Sequence, residues 1–109
     1  MKNGLYAVAF AVGGSMGNGV ITLQDGRASG GDSGFAFVGN IDQSGEDVTG
    51  SFHVFQHSVG MENVFAGLTD FVLDVQGRET ANSSASLHGT TSSAPGAQLQ
   101  VSMRFLQEV

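Results

Sequence analysis

Asp25-Gly26-Arg27-Ala28-Ser29-Gly30-Gly31-Asp32-Ser33-Gly34-Phe35-Ala36-Phe37-Val38-Gly39 is the stretch whose reading decides the fold of this chain. Asp25-Gly26 signals a two-residue hairpin, because both central positions of the tightest antiparallel connection need positive φ. Gly30-Gly31-Asp32 reads as a flexible corner, and Phe35 to Val38 as a short, strongly apolar strand. Glycine permits close backbone approach, so glycines set beside Phe35 and Phe37 predict a sheet bent hard around its own core. A barrel satisfies that bend better than an open sheet. Asp32 is expected to hold the corner by accepting hydrogen bonds from nearby backbone N–H groups.

The flanking sequence supplies the other strands. Upstream, Leu5 to Val12 is apolar on both faces, so it needs cover outside the barrel as well as inside, from another element or another subunit. Gly13 to Gly19 reads as a loop, without the Lys of a phosphate-cradling glycine motif, and Val20 to Leu23 as a second strand. Arg27 to Ser29 and Phe35 to Asn40 follow as strands three and four, and Ile41 to Glu46 as a polar turn. Asp47 to Phe55 forms strand five, with Val48, Gly50, Phe52 and Val54 on one face. Gln56 to Ala66 has no sustained period and is expected to be a connection with at most one short helical turn. Thr69 to Val75 is strand six, Gln76 to Arg78 a turn, Thr80 to His88 a weak strand seven, and Gln98 to Gln107 a cleanly alternating strand eight. These eight strands predict an all-β domain. Hairpin-length links favour an antiparallel up-and-down barrel, since closure removes exposed edges, with a two-sheet sandwich as the alternative.

Composition narrows what such a domain can do. The 109 residues predict a single domain spanning 1–109, and 40% apolar content with 8 Phe is enough for a globular core. Ten acidic side chains against Lys2, Arg27, Arg78 and Arg104 give a net charge of −6, so no basic patch is available for nucleic acid or an anionic membrane surface. The absence of cysteine excludes a disulfide framework, a thiolate metal site and a Cys nucleophile, and is compatible with the cytoplasm. The first apolar run has only Lys2 before it and contains Tyr6, which reads as a buried strand and not as a signal sequence. No stretch reaches the roughly 20 apolar residues that span a bilayer.

Candidate sites are few. His53 and His57 would stand about 13 Å apart on a strand rising about 3.3 Å per residue, too far to share a metal, although Glu62 could return from the loop; no metal and no cofactor are expected. Serines and threonines are plentiful, yet no nucleophile elbow occurs, and the adjacent carboxylates Glu46 and Asp47 point to opposite faces of a strand, so the chain is read as a non-enzyme. Phe10, Phe35, Phe37, Phe52, Phe55, Phe71 and Phe105, with Leu99, Val101 and Met103, either line a cavity for a small apolar ligand or lipid or simply fill the barrel. Val59, Met61, Val64 and Phe65 are apolar residues in a connection and are expected to cap the barrel end or pack on a second subunit. Asp42, Glu46 and Asp47 make an acidic turn suited to steering a basic partner.

Several of these pieces fall in a recognisable order: Asn3-Gly4-Leu5-Tyr6, Gly17-x-Gly19, the turn with Gly26, and Gly30-Gly31-Asp32 before an aromatic strand ending at Gly39. In that order and spacing the chain resembles the GrlR family, negative regulators of type III secretion, over nearly its whole length. The resemblance implies a small lipocalin-like barrel that forms a homodimer and has an apolar interior. It also implies contact with a transcriptional activator through an acidic E-D-E-D surface motif. The corresponding turn here is Ser44-Gly45-Glu46-Asp47-Val48, in which Glu46 and Asp47 hold matching positions and Asp42 lies a little upstream.

Overall fold

The computed structural model of the protein describes residues 1–60, 64–65 and 67–109. Eight strands follow one another: β1 (Gly4–Val12), β2 (Ser15–Gln24), β3 (Arg27–Gly31), β4 (Phe35–Ser44), β5 (Asp47–Gln56), β6 (Asp70–Glu79), β7 (Ala85–Thr90) and β8 (Leu99–Gln107). Each pairs antiparallel with its sequence neighbour, and β8 returns to β1, so the sheet is a closed up-and-down barrel and not a two-sheet sandwich. No helix occurs among the described residues. At the closing seam Tyr6 pairs with Phe105 and Leu5 with Gln107, which leaves Leu106 as a bulge.

Alternation decides what faces inward. Tyr6, Val8, Ile21, Leu23, Phe35, Phe37, Val48, Phe52, Val54, Phe71, Leu73, Val75, Leu87, Leu99 and Met103 form one continuous core. Phe10 is inward too, and its ring has room because Gly17 lies opposite: a Cβ there would come within 3.0 Å of the Phe10 Cζ. Large side chains facing glycines are how so small a barrel accommodates this many aromatic rings. Phe55, by contrast, is on the outer face, where its ring lies 4.6 Å from that of His53. The two residues are both odd in number, whereas the inward residues of β5 are even.

Several boundaries differ from the sequence reading, and in each case pairing extends a strand through residues with weak intrinsic preference. Gly13 to Gly19 is not a loop: only Gly13 and Gly14 turn, and Ser15 to Gly19 pair with β1. Ile41 to Ser44 belong to β4, where they pair with Asp47 to Gly50. Gln76 to Arg78 are not a turn, because they pair on both sides, with β5 and β7. The chain turns instead at Asn82-Ser83, with φ values of 52° and 59° and a bond from Ser84 N–H to the Ala81 carbonyl at 2.9 Å, so β7 begins later than its alternation predicts.

Gly30 and Gly31 also require correction. They lie within β3, paired with Ile21 and Val20 on one side and Phe37 and Ala36 on the other, and the corner is Asp32-Ser33-Gly34. The bend that glycine predicts is present, but inside the ladder: a Cβ on Gly30 would fall on the Val20 carbonyl and within 2.7 Å of the Ile21 Cα. The Asp25-Gly26 turn has φ values of 51° and 83°, the pair of positive values its sequence predicts.

Candidate functional site

Up-and-down order sends alternate connections to opposite ends of the barrel. One end collects the N-terminus and the β2–β3, β4–β5 and β6–β7 turns, and most of the acidic residues come with them. Glu46 and Asp47 sit at the β4–β5 turn beside Arg78, whose Nη2 donates to Glu46 Oε2 at 2.7 Å and whose Nε lies 3.9 Å from Asp47 Oδ1. Glu79 joins the group: its N–H donates to the Glu46 carbonyl at 2.8 Å, and its Oε1 accepts from Gln43 Nε2 at 2.6 Å. Asp42, two positions before the end of β4, accepts from Asn40 Nδ2 at 3.2 Å. Asp42, Glu46, Asp47 and Glu79 thus share one end of the barrel with Asp25, and Arg78 and Arg27 are the guanidiniums placed there. The sequence reading places Asp42, Glu46 and Asp47 here and misses Arg78 and Glu79, which β5–β6 pairing carries in from a distant segment.

Beneath this acidic end the barrel is closed by polar contacts. Tyr6 is fully buried, and its hydroxyl donates to the Lys2 carbonyl at 2.5 Å, while Lys2 N–H donates to Ser83 Oγ at 3.2 Å. Burial raises the pKa of Tyr6 above its ordinary value of 10.0; a hydrogen bond with Ser83 opposes that rise and the nearby Glu79 charge adds to it. Phe105 packs edge-on against Tyr6, with ring centroids 5.4 Å apart, and Lys2 Nζ lies 5.0 Å from the centre of the Phe105 ring. Asn3 and Asp25 bond reciprocally, Asp25 N–H to Asn3 Oδ1 at 2.9 Å and Asn3 Nδ2 to Asp25 Oδ1 at 3.1 Å. The first residues are thereby tied to the β2–β3 turn.

The opposite end leads to an apolar cavity of about 60 Å³. Of the sequence-proposed lining residues, Phe10, Phe37, Phe52, Phe71, Leu99, Val101 and Met103 face it. Phe35 and Phe105 are corrected: both point inward, but Phe35 is buried away from the cavity and Phe105 packs on Tyr6 at the acidic end. Val64 and Phe65 also line it, and Phe65 meets Phe71 edge-to-face at 5.5 Å, so these two residues belong to the barrel's interior at that end. Val59 is 94% exposed, and Met61 lies outside the described residues.

The polar groups around this end are structural. Asp32 Oδ1 accepts from Gly34 N–H at 2.9 Å and Phe35 N–H at 2.8 Å, the turn-holding role expected of it. His57 Nε2 bonds the Asp32 carbonyl at 2.9 Å, and the His57 backbone N–H donates to the Gly34 carbonyl at 2.9 Å, clasping the β3–β4 corner to the end of β5. His53 is on the outer face, its Nε2 2.8 Å from Asp70 Oδ1. The two imidazoles serve separate partners. Glu62 is outside the described residues, and among those described no cluster of three His, Cys, Asp or Glu could hold a metal ion. No helix among them is long and apolar enough to cross a membrane.

Comparison with protein-family models finds no match, and comparison with curated proteins finds none either.

Proposed function

We propose that this protein is a non-enzymatic cytoplasmic regulator of the GrlR kind, a homodimeric barrel that restrains a transcriptional activator by direct contact. Type III secretion genes are the target that the family resemblance suggests. The observation that carries the reading is the acidic end, where Asp42, Glu46, Asp47 and Glu79 gather, with Arg78 paired to Glu46. Clustered carboxylates on an exposed edge accelerate encounter with a basic partner and set its orientation. DNA-binding activators present such basic surfaces.

The interior favours this reading over carriage of a ligand. A cavity of about 60 Å³ is far below the roughly 300 Å³ or more of a small-molecule pocket, and below the roughly 150 Å³ that accommodates benzene. A lipid would need the core to be repacked.

The test replaces Asp42, Glu46 and Asp47 together with Asn, Gln and Asn and measures association with a purified basic activator at two salt concentrations. The association rate should fall at least tenfold at low salt and lose most of its salt dependence. Binding kinetics identical to those of the unaltered protein would remove this end as the contact.

A further inference from the structure

Charge is distributed unevenly around the barrel wall. Residues 3–24, 28–31 and 33–41 contain no Asp, Glu, Lys or Arg, so between their ends β1 to β4 present a neutral outer face. Pairing aligns its side chains in rows across the strands. Ala7 stands opposite Val20, Val20 opposite Gly31 and Gly31 opposite Ala36, and the next row brings Ser29 opposite Val38. Val20 and Val38 are 46% and 49% exposed, large values for valines on a strand. Val20 rises between Ala7 and Gly31, and Val38 stands between Ser29 and His53.

We infer that this β1–β4 face is where a second copy of the chain packs, which deepens the proposed homodimer by naming its interface and rests on that reading. Three features favour a second copy. A closed barrel has no free strand edge, so two copies cannot join by pairing strands and an outer face is the broadest surface left to them. A chain of net charge −6 repels its own copies, and this face lets two approach without opposing like charges. A two-fold interface must also be self-complementary, and here one patch carries both the protruding valines and the Ala7, Gly31 and Ala36 hollows that receive them. With strands about 4.8 Å apart, β1, β2 and β4 about 30 Å long and the five-residue β3 about half that, the face offers a footprint of at most roughly 500 Å² on each partner, in the lower range for a specific interface. An interface this small suits weak, reversible association, for which a dissociation constant on the order of micromolar is expected.

Sedimentation velocity from 1 to 100 µM, orders of magnitude chosen to bracket that affinity, tests the inference in Val20→Glu, Val38→Glu and, as a control, Ser86→Glu on the outer face of β7. The unaltered protein and Ser86→Glu should dimerise alike, and either valine variant should dissociate at least tenfold more readily while keeping the circular dichroism of the barrel. In the unaltered protein, amide shifts that change on dilution should map to β1, β2 and β4, a readout that requires no variant. A monomer throughout the range overturns the inference, as do valine variants that dimerise normally or dilution shifts confined to the β5–β6 connection. None of these outcomes depends on activator binding, so failure of the acidic-end test is separately visible.

Discussion

Replacing Gly30 with Ala tests the idea that the barrel's curvature is made inside the β3 ladder. The added Cβ would overlap the Val20 carbonyl and come within 2.7 Å of the Ile21 Cα, and both obstacles are backbone. A side chain could rotate away, but these atoms move only if β2 and β3 separate. Overpacking of this kind costs about 3 kcal/mol at the upper end of its usual range, and Ala recovers about 0.7 kcal/mol by reducing the freedom of the unfolded chain. The net loss is about 2 kcal/mol, or a Tm fall of about 10 °C for a domain of this size. Gly14→Ala is the matched control, because nothing lies within 4 Å of its Cβ and its φ is not left-handed. It should leave Tm unchanged or raise it by about 3 °C. Urea and thermal unfolding followed by circular dichroism would measure both. If the two variants unfold within about 0.5 kcal/mol of each other, close β2–β3 approach at Gly30 is not what bends the sheet.

Further outcomes follow from other contacts. Tyr6 is the single tyrosine and there is no tryptophan, so an alkaline absorbance titration reads this residue alone; its midpoint in the folded protein should lie above 10.0. The folded state then holds its phenolic proton more tightly than the unfolded state, so stability from this group is intact below pH 10.0 and is lost as pH rises through the folded midpoint. Tyr6→Phe should remove that alkaline loss and cost about 1 kcal/mol at neutral pH through the orphaned Lys2 carbonyl, as urea unfolding would show. Asp32→Ala deletes two backbone hydrogen bonds at the β3–β4 corner and should destabilise by about 1–2 kcal/mol in the same assay, with Asp32→Asn recovering part of it. Phe65→Ala removes a buried ring from the cavity wall and should cost about 3 kcal/mol while increasing binding of an apolar fluorescent dye.

What the residue order determined by itself was local. Alternation assigned the inward faces of β5, β6 and β8 because a strand's side chains repeat every two residues whatever it pairs with. Asp25-Gly26 specified its hairpin because few residues accept two positive φ values in succession, and Asp32 announced its corner because a short carboxylate reaches its own neighbours' N–H groups. The acidic turn was legible for the same reason, as far as the neighbouring residues Asp42, Glu46 and Asp47 carried it. What only the tertiary structure decided was long-range: that Ser15 to Gly19 become strand, that Gly30 and Gly31 bend a ladder instead of breaking it, and that Arg78 and Glu79 arrive beside Glu46. It also left Phe35 and Phe105 outside the cavity that Phe10, Phe37, Phe52 and Phe71 line, and put Phe55 on the outer face. The physical reason is shared. Local preference is worth a few tenths to about 1 kcal/mol per residue, whereas closure of the barrel satisfies every neighbouring strand's backbone at once, and so overrides that preference wherever the two conflict.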